Sequence, residues 1–311
     1  MTKAAPDDLR TVTPTPVQGL AAWDLGDSVP PERYAAMIAH PRFAEAVRTL
    51  AGGMLDLAAA HPALNAVFKD AGRYMATLWM QYLQTIDDLT LPRLKAFCVS
   101  SKLLSPGRAR TLVHLLQHLG YVQVSQTALG RAAARYAPTD RFIAEWAGHH
   151  RAALRAASVI EPAVGPLIAA LDDRDTYWAF TRIQSEGLLD ASEGIDHDAP
   201  FNRVFLHSYA GLQIIWFLLS QSEGDDLFPP AGARLPVRAA AERFGVSQMH
   251  IKRFLVAAER EQLLSRSDDG AIVIGESMTQ TIKYLYADQL IRLLIASGRT
   301  LREMRAEARP I

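Results

Sequence analysis

The sequence predicts a mainly helical chain, α+β only through two small hairpins, with its elements set out twice in the same order. Three observations predict this. Ala- and Leu-rich stretches with apolar residues every three or four positions fill most of the chain after Pro31. β-Prone runs occur at only two places. The helix starts and hairpins of the first half return about 142 residues later.

Before Pro31, the prolines Pro6, Pro14, Pro16 and Pro30 stand among Thr, Asp and Gly, so residues 1–32 read as a loosely ordered lead-in. Phe43, Val47, Leu50, Met54 and Leu57 then recur as on one helix face. Further helical spacing covers about 74–86, 141–160, 176–189, 203–220 and 279–297. Leu263-Leu264-Ser265-Arg266-Ser267-Asp268-Asp269-Gly270-Ala271-Ile272-Val273-Ile274 places two β-prone runs around an Asp-Gly turn, which is a hairpin. A weaker hairpin runs from Tyr121–Ser125 to Arg135–Ala137. Ser105 against Ser247 gives an offset of 142, and Leu91-Pro92 against Leu235-Pro236 gives 144. The expected organisation is the lead-in, a first module at 33–160, and an acidic connector with a second module at 161–311.

The most specific local pattern lies in 237–264. Ala241, Gly245, Ile251 and Phe254 have the spacing of a helix-turn-helix: a small residue where two helices approach, a glycine for the left-handed turn, and two apolar residues that pin the second helix. Ser247 stands where an N-cap is needed. With Ile251 and Phe254 inward, Ser247, Gln248, Met249, Lys252 and Arg253 face outward, with His250 beside them. Gln suits adenine, while Arg and Lys suit guanine or phosphate. With the hairpin that follows, this reads as a winged helix-turn-helix, contacted by Arg266 from the wing.

The first half repeats the plan less regularly. Ser105-Pro106-Gly107 is a strong helix start. Arg108, Arg110, Thr111 and His114 project from a helix whose inner face is Leu112, Leu115, Leu116 and Leu119, and the wing brings Arg131 and Arg135. The turn at 100–104 lacks the glycine expected at position 103. The whole chain is then a pair of tandem winged helix-turn-helix modules with long flanking helices, a pseudo-twofold internal duplication.

Leu115-Leu116-Gln117-His118-Leu119-Gly120-Tyr121-Val122, followed by Arg135-Tyr136-Ala137-Pro138-Thr139-Asp140, resembles the recognition-helix exit and wing return of MarR-type transcriptional regulators. The second module resembles them too, and its Ala-x-x-x-Gly-Val-Ser start is similar to many bacterial helix-turn-helix proteins. About half the chain is covered. The resemblance implies double-stranded DNA as partner, flanking helices at a dimer interface, and a small-molecule effector between them and the reading unit. This chain departs in holding both reading units, so the pair would imitate a dimer internally, with a homodimer of chains as the further option.

Charge is balanced overall, 33 Lys+Arg against 33 Asp+Glu, which by itself argues against a polyanion coat. Along the chain it is segregated. Residues 91–138 hold seven basic residues and no acid; 234–267 hold seven against three; 161–226 hold twelve acids against three arginines. Two basic stretches suit phosphate contact, with two unlike reading helices on a non-palindromic site and half-sites about 34 Å apart or a multiple.

Other chemistry finds little support. Asp172-Asp173-Arg174-Asp175 reads as a helix start sooner than a magnesium site, because no second carboxylate cluster faces it. His149-His150 are adjacent and point to different sides of a helix, which suits surface or interface roles and no shared metal. The single cysteine, Cys98, excludes an internal disulfide and reads as a buried structural thiol. No phosphate loop, His-Glu-x-x-His or Gly-x-Ser-x-Gly occurs, so neither enzyme activity nor a cofactor is expected. Tyr177, Trp178, Phe180, Arg182, His207 and Trp216 are the residues that would line an effector pocket, if they are not helix-packing core. The N-terminus lacks a secretory signal's apolar core, and 209–220 is too short to span a bilayer, so a cytoplasmic setting is expected. The competing readings are a plasmid-type replication initiator, a winged-helix scaffold for protein partners, and an enzyme that uses winged helices to dimerise.

Overall fold

The computed structural model describes residues 19–23, 29–126, 133–192 and 196–307. The chain is mainly helical, with two separate two-stranded antiparallel sheets among the described residues. In order come α1 (Pro31–Ile38), α2 (Phe43–Ala60), α3 (Pro62–Val67), α4 (Ala71–Thr85), α5 (Leu91–Ser100), α6 (Pro106–His118), β1 (Val122–Gln126), β2 (Arg135–Pro138) and α7 (Asp140–Ile160). Then follow α8 (Gly165–Ala170), α9 (Arg174–Ser192), α10 (Gly211–Leu219), α11 (Val237–Phe244), α12 (Gln248–Arg260), β3 (Leu264–Arg266), β4 (Ile272–Ile274) and α13 (Glu276–Glu307). Most of the lead-in lies outside the described residues, but 19–23 are docked and not loose. Gly19 donates its backbone N–H to Glu161 at 2.7 Å, and Trp23 is buried.

The helix expected over 203–220 is interrupted. Asn202–Leu206 form a wide turn of π type, Ala210 takes a left-handed φ of +63°, and α10 starts at Gly211. A Cβ on Gly211 would lie 1.9 Å from the Phe205 carbonyl oxygen, so only glycine fits this bend. The Ala210 N–H is drawn away from any helical partner by the Lys69 carbonyl, 2.7 Å distant.

The order helix–helix–helix–hairpin–helix occurs twice, as α4 to α7 and as α10 to α13, and its backbone hydrogen bonds match. α6 and α12 are both 13 residues long, each N-capped by a serine, Ser105 on the Arg108 N–H and Ser247 on the His250 N–H. Past their ends Gly120 and Gln262 share a positive φ, and Tyr121 and Leu263 donate to the Leu116 and Ala258 carbonyls. Each hairpin closes alike, Thr139 N–H on Tyr121 O and Gly275 N–H on Leu263 O, both 2.9 Å. A single β-bridge extends each sheet, Thr90 to Arg135 and Ala233 to Ile272.

The two unequal sequence offsets have a structural cause. The turn between α5 and α6 holds five residues, and that between α11 and α12 holds three. In the longer turn the left-handed residue is Lys102, at φ +56°, where Gly245 serves the shorter one at φ +60°. The glycine expected at 103 is therefore not needed.

The halves interlock. α2 packs along α7 and α9 along α13 within each half, while α10 lies on α2 and α4 on α9 across them. The core so formed holds Trp79, Tyr121, Phe142, Trp146, Tyr177 and Phe180, each nearly inaccessible. It also holds His149 and His150, which the sequence placed at a surface or interface. α7 is covered on two sides, so both faces of the His-His pair meet protein: His149 Nε2 lies 2.8 Å from the Tyr74 hydroxyl and His150 Nε2 3.1 Å from Thr181 Oγ1.

Burial holds both imidazoles neutral. Desolvation pushes His149 down to about 3, and pushes His150 well below the ordinary imidazole range, aided by His149 and Arg151. In the unfolded chain both take a proton near pH 6.5. Below that pH the unfolded state binds protons that the native state refuses, so stability falls as pH drops from about 6.5 toward 3. Between pH 7.5 and pH 5 the pair should cost up to about 4 kcal/mol, read as a lower urea midpoint, and the His149→Gln/His150→Gln variant should lose that difference. Equal pH sensitivity in the variant would show that other groups cause it.

Candidate nucleic-acid interface

α12 is set by contacts at its start. Gly245 ends α11 in the left-handed conformation, and the free carbonyls of Phe244 and Gly245 accept from Lys69 Nζ at 2.6 and 2.7 Å. Ala241, Ile251 and Phe254 are buried, on the inner side that their spacing predicts. Gln248, Met249, Lys252, Arg253, Val256 and Arg260 are exposed on the other face. Among the described residues, the side chains of Gln248, Lys252, Arg253 and Arg260 have no hydrogen-bond or ion-pair partner. His250 turns inward, its Nε2 2.7 Å from the Tyr209 carbonyl, so it clamps the helix start. Arg266 is held by Glu259 through two bonds of 2.5 and 2.7 Å, and Arg234 braces the hairpin through Asp269.

α6 differs in how its basic residues are spent. Arg110 and His114 are exposed and without partners among the described residues; Thr111 is exposed, its hydroxyl donating to the Gly107 carbonyl at 3.1 Å. Arg108 instead reaches back to Asp70, with Nη2 3.1 Å from Oδ2. Arg135 pairs with Asp87 at 3.1 Å and Arg93 with Asp88 at 2.6 Å. Arg131 lies outside the described residues. The acid-free stretch is thus neutralised in part by three acids that stand just before it in the chain. Lys95, Lys102 and Arg110 are the basic side chains of α5, α6 and their turn that have no counter-charge among the described residues.

Both helix starts meet at one node, which the sequence reading missed. Asp70, only 2% exposed, caps α4 by accepting the Arg73 N–H at 2.9 Å and pairs with Arg108 and, at 3.5 Å, with Arg73. Arg73 Nη2 donates to the Tyr209 hydroxyl at 3.0 Å, with its guanidinium 5.0 Å over that ring. Across this point Lys69 O accepts the Ala210 N–H. Arg108 and His250 hold equivalent places, each third after its N-cap serine, and each ties its own helix to the start of α4 or α10. Asp70 before Ala71-Gly72-Arg73 was legible as a cap; its distant partner was not.

The residues expected around an effector do not share a pocket. Tyr177 is buried with its hydroxyl donating to Gln81 at 2.5 Å, and Phe180 packs edge-on against His150. Trp178 and Arg182 line a shallow groove where Arg182 pairs with Glu303 at 2.8 Å. His207 faces His197 at 3.3 Å. Trp216 alone of the set lines a central cavity. Cys98 is buried, and desolvation pushes its thiol up to about 12. Asp173 starts α9 by accepting the Thr176 N–H at 2.8 Å. Among the described residues no His, Cys, Asp and Glu cluster could hold a metal, and no helix is long and apolar enough to cross a membrane.

Removing Asp70 would strip one cap and leave Arg73 and Arg108 without a counter-charge. Asp70→Ala is expected to destabilise the chain by about 3 kcal/mol in urea denaturation, and Arg108→Ala by about 1 kcal/mol, since Arg108 is half exposed. Equal losses from the two would place the value of the node in the ion pair and not in the cap.

Compared with protein families, with curated proteins and with solved structures, the chain has no match.

Proposed function

We propose that the protein is a sequence-specific DNA-binding transcriptional regulator built from two winged helix-turn-helix modules in one chain, its affinity set by a small-molecule effector. One observation carries the reading. The exposed face of α12 presents Gln248, Lys252, Arg253 and Arg260 with no partner among the described residues, on a helix fixed by a serine cap, a lysine-capped turn and a following hairpin. Unpaired donors on a rigid helix pay no cost of breaking internal bonds when they meet bases and phosphates. α12 is then the principal reading helix. α6 is the secondary one, contributing Arg110, Thr111 and His114, while Arg108 is retained by Asp70.

A second reading, a winged-helix scaffold for protein partners, draws on another observation. Met249 and Val256 stand 54% and 56% exposed on that same face, and several wing and helix arginines are neutralised internally. Apolar exposure of this kind suits a protein surface as well as thymine methyls.

Selection of bound fragments from random duplex DNA, followed by gel shift, separates the two. Salt-sensitive binding is expected. Arg253→Ala should weaken the selected site about 5- to 100-fold with relaxed base preference, and Lys252→Ala should weaken all sequences alike and lower the salt slope by about 1. Arg108→Ala should matter less than Arg253→Ala. Absence of salt-sensitive binding would overturn the regulator and leave the scaffold.

A further inference from the structure

Where α2, α4, α9, α10 and α13 meet, the interlocked halves leave a cavity of about 160 Å³. Its body is apolar, walled by Leu50, Met54, Leu188, Leu212, Trp216 and Leu293. A dry apolar cavity of about 150 Å³ holds one benzene ring. One wall has a different character. Gln184 is 8% exposed, its Oε1 is buried without a hydrogen-bond partner, and its Nε2 has none among the described residues. A buried amide oxygen without a donor is a standing cost to the fold, and with Nε2 beside it also unengaged the group suits a partner that offers a donor next to an acceptor.

The charged groups at the wall are already satisfied. Arg292 Nε binds both oxygens of Asp288 at 2.9 and 3.1 Å, its Nη1 donates to the Gly187 carbonyl at 2.7 Å, and the Tyr34 hydroxyl donates to Asp288 at 2.9 Å. Among the described lining residues no other acid or base carries charge, since His149 is held neutral by burial. A charged ligand would enter without a counter-ion and lose its hydration.

We propose that this cavity binds a small uncharged molecule, about one aromatic ring in size, whose amide edge pairs with Gln184. The cavity wall also includes Leu103, in the turn before α6, and Leu206, next to Phe205, whose ring packs edge-on against Phe254 of α12 at 4.9 Å. A ligand here touches the supports of both reading helices. That coupling rests on the regulator reading; the binding does not.

Ligand-observed NMR on the full chain tests it with benzamide, toluene and benzoate. Saturable millimolar binding of benzamide is expected, with benzoate at least about tenfold weaker. Gln184→Leu should weaken benzamide about tenfold and leave toluene unchanged, and Leu212→Trp should fill the space and abolish both. Nuclear Overhauser contacts from benzamide to the Leu50 and Leu188 methyls would locate it even if Leu212→Trp fails to fold. No saturable benzamide binding to the folded wild type, tighter binding of benzoate, or an unchanged benzamide affinity in Gln184→Leu overturns the proposal. A gel shift with and without benzamide reads the coupling. Benzamide binding without DNA binding sinks the regulator and keeps the site; DNA binding without benzamide binding does the reverse.

Discussion

A single buried carboxylate, that of Asp70, ties the molecule together. It closes the first turn of α4, neutralises Arg73 and draws Arg108 from the start of α6, all within 3.5 Å. Next to it, the backbone of Lys69 receives the Ala210 N–H and its ammonium caps α11. Two residues in sequence thus fix the starts of α4, α6 and α10 and the turn that leads into α12. A charge buried at such a point is costly unless paired, and here Oδ1 accepts the Arg73 N–H while Oδ2 faces the guanidinium groups of Arg73 and Arg108. The orientation of the two exposed helix faces follows from this node, because Arg108 and His250 attach each helix at its first turn.

Folding redistributes the charge that the sequence displays. Read along the chain, the basic stretches look like two continuous positive surfaces. In the structure Asp70, Asp87 and Asp88 meet Arg108, Arg135 and Arg93, while Asp269 and Glu259 meet Arg234 and Arg266. The exposed pairs among these add little stability, but all of them reduce long-range attraction for a polyanion. Among the described residues, Lys252, Arg253 and Arg260 on α12 and Lys95, Lys102 and Arg110 around α6 keep no counter-charge. Affinity of the proposed kind would come from a few placed contacts and less from a broad field.

Legibility in the sequence followed the range of the causes. Gly245, Ser247 and the Asp-Gly hairpin act within a few residues of themselves, so their geometry was read correctly from neighbours. The offsets of 142 and 144 even held the length of the first turn, although only the structure shows that Lys102 takes the glycine's place. The break at Ala210 was hidden because its cause, the Lys69 carbonyl, lies 141 positions away. His149 and His150 looked superficial because one helix cannot reveal that it is covered on two sides. The aromatic set proposed as a pocket failed for the same reason: helical spacing says which residues share a face, not which faces enclose space. The central cavity arises between five helices and has no local signature.

The crosswise packing of α10 on α2 and of α4 on α9 has a consequence for how such a molecule responds to scarcity. Two separate subunits joined by this surface would part on dilution, and their pairing would depend on how many copies a cell holds. Within one polypeptide the partner is always present at a fixed effective concentration, set by the connecting chain. The packing of one half on the other is therefore indifferent to abundance.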